Sequence, residues 1–238
     1  MIKSLAFLSI LTSFSFVSAY AKCENIEFGS QGREPGQFSQ LWGVTVDDNG
    51  NVYVADQNNN RVQKFDNNGN FLSQFGTAGS KPGQFRTPTS IAIGFNNSIY
   101  VTDIINKRIQ KFDADGNFLE KFGTKGSGDG QFETPISLSL DQNDNIYVAD
   151  FGYGSGNHRI EKFNSQGKYI NSFGSGGNGD GQFEIGPSAV VVNKQLEQIY
   201  AVDEQHSRVQ IFNLNGEYLG QFGSAGRGNG ELGIGIIG

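Results

Sequence analysis

The sequence predicts an all-β protein built from repeated four-stranded units, and three observations support this prediction. The dipeptide Phe-Gly recurs at positions 28, 75, 122, 173 and 222, at intervals of 47, 47, 51 and 49 residues. Short runs of apolar or alternating residues are separated by turns rich in Gly, Asn and Asp. Apolar residues nowhere keep helical spacing for more than one turn. Strands at this density indicate an all-β fold, and four-stranded units of about 40 to 50 residues indicate propeller blades.

Each unit carries four strand signals, which the second unit displays in order. Residues 90–95 are mainly apolar, while residues 98–103 and 108–113 alternate between apolar and polar side chains. Residues 114–117 form a predicted hairpin turn, because glycine supplies the positive φ that such turns need. Residues 118–123 make the fourth strand, and a glycine-rich connector leads to the next unit.

Recurrent phenylalanines are the expected filling between blades. A single four-stranded sheet cannot bury both of its faces, so stability should come mainly from the interfaces between stacked units. One phenylalanine in each unit keeps the repeat interval and is assigned to these interfaces: Phe65, Phe112, Phe163 and Phe212.

The N-terminal residues have the layout of a secretory signal peptide. Lys3 provides a positive start, residues 5–17 are apolar apart from Ser and Thr, and Ala19-Tyr20-Ala21 offers a cleavage site. We therefore expect residues 1–21 to be a signal peptide, residues 22–238 to be the propeller domain, and the protein to be exported. Cys23 has no second cysteine to pair with in this chain and is assigned no role.

Charge disfavours nucleic acid as a partner. The chain has a net charge of −6, with 18 basic and 24 acidic residues and no basic run. Proteins that bind phosphate backbones draw their affinity from clustered Lys and Arg. The apolar run at residues 5–17 is too short to span a bilayer, and no later stretch is apolar enough to do so.

The repeated pattern, seen in FGTKGSGDGQFETP, IYVAD and RIEKF of the third unit, resembles the NHL repeat from residue 28 to residue 222. That resemblance implies a β-propeller, which in this family usually has six blades. The chain supplies four units, 28–74, 75–121, 122–172 and 173–221, and a partial unit, 222–238. Closure of the ring is therefore open among three arrangements: a four-blade ring, an open arc that pairs with a second copy, and a truncated product.

An Asp and an Arg flank the loop between the second and third strands of every unit. A bidentate Asp–Arg pair across this hairpin, or to the next blade, would act as a structural lock, and four copies of one pair suit a scaffold better than catalysis. The pairs are Asp56 and Arg61, Asp103 and Arg108, Asp150 and Arg159, and Asp203 and Arg208. The acidic turns at 47–51 and 141–145 lack the ligand spacing of a calcium loop and are interpreted as hairpin turns.

Positions that differ between units are the better candidates for binding. In a propeller, the connectors and the loops between strands two and three share one face, and five singular residues fall there. They are Trp42, Phe151, Tyr153, His158 and His206, which we predict to form a binding surface on rigid loops.

Two functions from different classes follow from these residues. The first is an exported, non-catalytic scaffold that binds a protein, a peptide or another extracellular polymer through this face. The second is a metal-assisted lyase, since some NHL-like propellers are peptidyl-hydroxyglycine amidating lyases. Resemblance to those implies three histidine ligands for zinc, whereas this chain has two histidines in total. The sequence therefore favours the scaffold and predicts no cofactor and no metal site.

Overall fold

The computed structural model describes residues 27–152 and 156–232, which form four four-stranded antiparallel sheets, each with its strands in chain order. The first two units contain β1 (Ser30–Gln31), β2 (Gln37–Phe38), β3 (Leu41–Val46), β4 (Val52–Asp56), β5 (Arg61–Phe65), β6 (Phe71–Phe75), β7 (Pro88–Ile93), β8 (Ile99–Asp103), β9 (Arg108–Phe112) and β10 (Phe118–Phe122). The last two contain β11 (Thr124–Lys125), β12 (Gln131–Phe132), β13 (Pro135–Leu140), β14 (Ile146–Asp150), β15 (Arg159–Phe163), β16 (Tyr169–Phe173), β17 (Ser175–Gly176), β18 (Gln182–Phe183), β19 (Ala189–Asn193), β20 (Gln198–Asp203), β21 (Arg208–Asn213) and β22 (Tyr218–Phe222).

The predicted all-β architecture of four-stranded units is thus confirmed. Two single-turn 3-10 helices, Gln57–Asn59 and Phe95–Asn97, lie in hairpin loops of the first and second sheets. The pairs β1–β2, β11–β12 and β17–β18 are short parallel ladders within the connectors, and a bridge between Ala78 and Phe85 takes their place in the second unit. Among the described residues no helix is long and apolar enough to cross a membrane. The predicted signal peptide and Cys23 lie outside the described residues.

Phenylalanine rings fill the space between consecutive sheets. Phe112 of the second sheet packs against Phe75 of the first sheet at a centroid distance of 4.7 Å and against connector Phe85 at 5.5 Å. The glycine after Phe75 is required, because Gly76 has a φ of 93° and an added Cβ would lie 2.5 Å from the Phe85 ring. Phe65, Phe163 and Phe212 occupy the corresponding positions in the other sheets.

The acidic turn between β3 and β4 is a hairpin turn. Asp47 Oδ1 accepts hydrogen bonds from the backbone N–H groups of Asn49 (3.0 Å) and Asn51 (2.9 Å). Its Oδ2 accepts from the Asn51 amide and from the Tyr53 hydroxyl. The Asp47 carboxylate thus closes the turn by accepting these hydrogen bonds, and the predicted hairpin turn is formed.

The innermost strands of successive sheets lie side by side: β3 beside β7, β7 beside β13, and β13 beside β19. Approach is closest at Gly43, where an added Cβ would lie 2.1 Å from the Thr89 carbonyl oxygen. Within 27–152 and 156–232, no contact of similar extent joins β19 to β3. Among the described residues, the four sheets therefore form an arc with two end faces that no further sheet covers, one on the first sheet and one on the fourth.

Candidate functional site

In the first, second and fourth sheets, the Asp and the Arg of each predicted pair stand directly opposite each other in the hairpin register. The Arg Nε donates to the Asp Oδ2 over 2.9, 2.8 and 2.7 Å in the three sheets. Every one of these carboxylates is at most 1% exposed, so each pair is buried. Losing one partner of such a pair leaves an uncompensated buried charge.

These pairs fasten the hairpin to the connector that enters the same sheet. In the second sheet, Arg108 Nη2 donates to the carbonyl oxygens of Lys81 (3.0 Å) and Gln84 (2.7 Å). Asp103 Oδ1 in turn accepts a hydrogen bond from the Arg86 backbone N–H at 2.8 Å. The expected bidentate geometry is wrong, because the guanidinium gives only Nε to the carboxylate. Its Nη2 donates to connector carbonyl oxygens, and in the first and fourth sheets its Nη1 donates to Gln74 or Gln221.

The third sheet departs from this arrangement, and the predicted pair of Asp150 with Arg159 does not form. Arg159 Nη2 instead donates to Glu161 at 2.8 Å, and Arg159 Nε has no hydrogen-bond partner among the described residues. Glu161 stands where the other sheets have Gln63, Gln110 and Gln210, whose amides donate to the paired Asp. A carboxylate cannot donate and attracts the guanidinium, which explains the exchange of partners.

This substitution places two carboxyl groups in the interior of the third sheet. Both Asp150 and Glu161 are 0% exposed, and Glu161 Oε2 accepts from the Gly130 backbone N–H at 2.8 Å. Burial raises the pKa of Glu161 to about 7, against the opposing effect of Arg159. Burial also raises the pKa of Asp150 to about 6. In the third sheet, a change of pH near neutrality therefore alters the protonation of two buried carboxyl groups, Asp150 and Glu161.

The two histidines, His158 and His206, lie in different environments and do not form a common site. His206 takes the position of Asn59 and Asn106, and its Nδ1 lies 3.0 Å from Asp203 Oδ2. His158 is only 9% exposed, and its Nδ1 has no hydrogen-bond partner among the described residues. Within 27–152 and 156–232, no group of three His, Cys, Asp or Glu side chains is arranged to hold a metal ion.

The predicted aromatic surface is only partly formed. Trp42 is 40% exposed, as a binding residue requires. Phe151 is 6% exposed, so its expected place on an exposed surface is wrong, because the ring is buried among neighbouring residues. Tyr153 lies outside the described residues. The structure therefore retains Trp42 as the aromatic residue of this set with a described, exposed side chain.

Trp42 belongs to a larger apolar surface that the sequence analysis missed. Leu41, Trp42, Val44 and Val46, here called the β3 strip, are 54%, 40%, 65% and 56% exposed. The residues that correspond to Val44 in the later sheets are 6%, 4% and 2% exposed, and these are Ile91, Leu138 and Val190. Val44 is exposed because no preceding sheet covers it among the described residues.

A cavity of about 450 Å³ opens on the opposite side of the arc, among the turns that follow the innermost strands. Its lining includes Asp48, Phe95, Asp144 and Lys194. The Asp144 Oδ2 already accepts a hydrogen bond from the Phe95 backbone N–H at 2.8 Å. This cavity thus presents the exposed Phe95 ring and the Lys194 ammonium group. The Asp144 carboxylate in its lining is already hydrogen-bonded within the protein.

Two family models match the chain. One, described as NHL repeat, covers residues 38–65, and the other, described as 6-bladed beta-propeller, covers residues 95–154. The chain therefore contains an NHL repeat and resembles six-bladed propellers over part of its length. The β3 strip accordingly lies on the first described blade, and the carboxyl pair on the third.

Curated relatives resemble this NHL-repeat chain over single stretches. Protein lin-41 of Caenorhabditis elegans is 48% identical over 54 residues, which is 23% of this chain and 5% of that protein. Protein wech of Drosophila melanogaster is 47% identical over 45 residues, 19% of this chain and 5% of that protein. The E3 ubiquitin-protein ligase TRIM71 of Mus musculus is 46% identical over 46 residues, with 19% and 5% covered. The match thus spans a small fraction of each relative.

Solved structures share the propeller fold over most of the NHL-repeat arc. A streptogramin B lyase has a TM-score of 0.60 at 14% identity, with 82% of this chain and 57% of that chain covered. U3-55K has a TM-score of 0.61 at 16% identity, with 78% and 53% covered. At such identities the likeness is one of fold, and this chain spans roughly half of each.

Proposed function

We propose that this NHL-repeat chain is a non-catalytic scaffold that binds a protein or peptide through the β3 strip. The observation that carries the proposal is the exposure of four apolar side chains on one strand, at 40% to 65% each. Contiguous apolar surface of this kind marks interaction sites on soluble proteins. Trp42 supplies the aromatic anchor that dominates the energetics of many interfaces.

The chemistry of the remaining candidate residues supports binding over catalysis. The buried Asp–Arg pairs hold connectors, and His206 is engaged by Asp203, so these groups act within the fold. A relative with the same repeat is named an E3 ubiquitin-protein ligase, an activity directed at other proteins. The likeness to a streptogramin B lyase, at 14% identity, is one of fold alone.

We further propose that the chain is exported. The support is the sequence of residues 1–21, with a basic start, an apolar run and small residues at a cleavage site. An exported partner would then be an extracellular protein, peptide or other polymer.

A peptide selection tests the binding proposal. Peptides displayed on phage are selected on the wild-type chain, and their affinities are measured by calorimetry for wild type, Trp42→Ala and the control Leu119→Ala. Leu119 is 52% exposed on an outer strand, away from the β3 strip. We expect Trp42→Ala to weaken binding roughly 30-fold, as for an anchor worth about 2 kcal/mol. Equal affinity for all three proteins, at equal Tm, would contradict the proposal.

A further inference from the structure

The two free end faces are the two halves of the interface that joins consecutive sheets. On the leading side of the later sheets, the counterparts of Val44 are buried, and Ile91 packs against Tyr53 and Ala55 of the preceding sheet. The trailing side of the fourth sheet is the other half. It carries Val191, at 59% exposure, and Phe222, at 52%.

Burial along the second strands identifies the trailing face of the fourth sheet as incomplete. Every residue of β8 and of β14 is buried, whereas burial in β20 alternates with partial exposure. Tyr53, Tyr100 and Tyr147 are 0% exposed, and their counterpart Tyr200 is only partly buried. The fourth sheet therefore has one covered face and one face that no described residue covers fully.

This face is also more apolar than its counterparts. Across the hairpin from each earlier tyrosine stands a lysine whose Nζ lies over the ring: Lys64, Lys111 and Lys162, at 5.0, 5.1 and 5.1 Å. Lys162 Nζ reaches on to the Leu214 carbonyl oxygen of the following sheet at 2.9 Å. In the fourth sheet Ile211 pairs with Tyr200 instead. A solvent-exposed face would be expected to retain the lysine at this position. The isoleucine therefore indicates that an apolar surface packs on this face.

Ser207 gives a second, independent indication that the trailing face of the fourth sheet is incomplete. It corresponds to Asn60, whose side-chain oxygen accepts a hydrogen bond at 3.1 Å from the backbone N–H of Thr87, the last connector residue before β7 of the following sheet. Ser207 is 1% exposed, and its Oγ has no hydrogen-bond partner among the described residues. A following sheet would supply such a partner.

We propose that a second copy of this chain covers these faces head to tail, with the fourth-sheet face of one copy seated on the β3 strip of the next. The proposal rests on the binding function proposed for the β3 strip and identifies its binding partner as a second copy of the chain. The contact would bring β19 of one copy beside β3 of the next, as successive innermost strands lie within one chain, and the connectors that end at Phe38 and Leu232 would compete for one position. It pairs two different surfaces, so copies would form a closed ring where the rotation permits and a longer assembly otherwise.

Phe28 limits this association. It packs on Phe65 at 4.9 Å, as Phe75 packs on Phe112 at 4.7 Å. Phe28 therefore fills the position on the first sheet that Phe222 of an incoming copy would take. Phe28 precedes the first strand and is 39% exposed, whereas Phe222 belongs to β22. We expect Phe28 to give way to Phe222, so that its removal strengthens the assembly.

Light scattering coupled to size exclusion, across a range of concentrations, tests the proposal with surface variants. Val44→Asp disables the leading face, Val191→Asp disables the trailing face, and Leu119→Asp is the matched control on an outer strand. All three positions are more than half exposed, so each variant should keep the wild-type Tm. We expect wild type and Leu119→Asp to exceed the mass of one chain, each face variant to be at least tenfold weaker, and Phe28→Ala to associate at least threefold more tightly.

Mixing the two face variants gives the decisive outcome. Each retains the surface that the other lacks, so a 1:1 mixture should form a two-chain complex although neither variant associates alone. A wild-type monomer at every concentration, a mixture that stays monomeric, or equal or weaker association of Phe28→Ala would overturn the proposal. A monomer that still binds selected peptides through Trp42 would remove the second copy and leave the binding function intact.

Discussion

Replacing Glu161 with glutamine should stabilise the protein above neutral pH. The change restores the amide that the first, second and fourth sheets have at this position. The new amide can donate to the Asp150 carboxylate, and its introduction releases Arg159 to pair with Asp150 as in the other sheets. The variant therefore removes one buried carboxylate and repairs one buried ion pair.

The magnitude follows from the pKa of Glu161, which burial raises from 4.5 to about 7. Because the folded state binds this proton more tightly than the unfolded chain, the group's contribution to stability is complete below pH 4.5. It is lost as the pH rises through about 7. At about 1.36 kcal/mol per unit, the loss is roughly 3 kcal/mol, and for a domain of this size it corresponds to about 6–12 °C in Tm.

Thermal unfolding followed by circular dichroism between about pH 5 and about pH 8 measures the effect. Glu161 is protonated near pH 5, so the Tm of Glu161→Gln relative to wild type should rise by about 6–12 °C between pH 5 and pH 8. The matched control is Gln110→Glu, which places the same carboxylate in the second sheet. It should introduce a loss of Tm with rising pH of the same sign.

A Tm difference between Glu161→Gln and wild type that stays constant from pH 5 to pH 8 would refute this reasoning. So would a variant that is less stable than wild type at pH 8, because the ion pair with Arg159 would then outweigh the burial of the carboxylate.

Three further outcomes are expected. Asp103→Ala should lower the free energy of unfolding by about 3–5 kcal/mol, because Arg108 stays buried without its carboxylate; an unchanged stability to urea and to heat would remove that role. Phe112→Ala should cost about 3–5 kcal/mol by opening a void between the first two sheets, measured by denaturant unfolding, and a loss under about 1 kcal/mol would contradict the packing role. Expression in a secreting host should yield a chain that starts at Lys22, read by mass spectrometry, whereas an intact Met1 in the exported fraction would contradict cleavage after Ala21.

The repeat allowed most of the fold to be predicted from the sequence. The Phe-Gly dipeptides mark the points where a sheet ends and a connector begins, since Gly76 has no room for a side chain beside Phe85. The opposed positions of Asp103 and Arg108 follow from the length of the hairpin loop between them. Local geometry of this kind is set by neighbouring residues, which the sequence displays.

Features that depend on the ends of the arc were not visible in the repeat. Val44 resembles Ile91 in type and position, yet Val44 is 65% exposed and Ile91 is 6% exposed, because among the described residues only Ile91 has a sheet in front of it. The exchange of partners at Arg159 could have been found, since RIEKF differs from RIQKF by one residue. The burial of Phe151 and His158 could not, because an inserted loop has no counterpart in the other units.

Trp42 fluorescence offers the most direct test of the β3 strip as the binding surface. Trp42 is the single tryptophan of the chain and lies within the strip, so its emission reports on this surface alone. During a titration with a selected peptide, we predict a saturable blue shift and reduced quenching by acrylamide, with the same Kd as calorimetry. Saturated binding in the calorimeter with an unchanged Trp42 spectrum would place the partner elsewhere and contradict binding through the β3 strip.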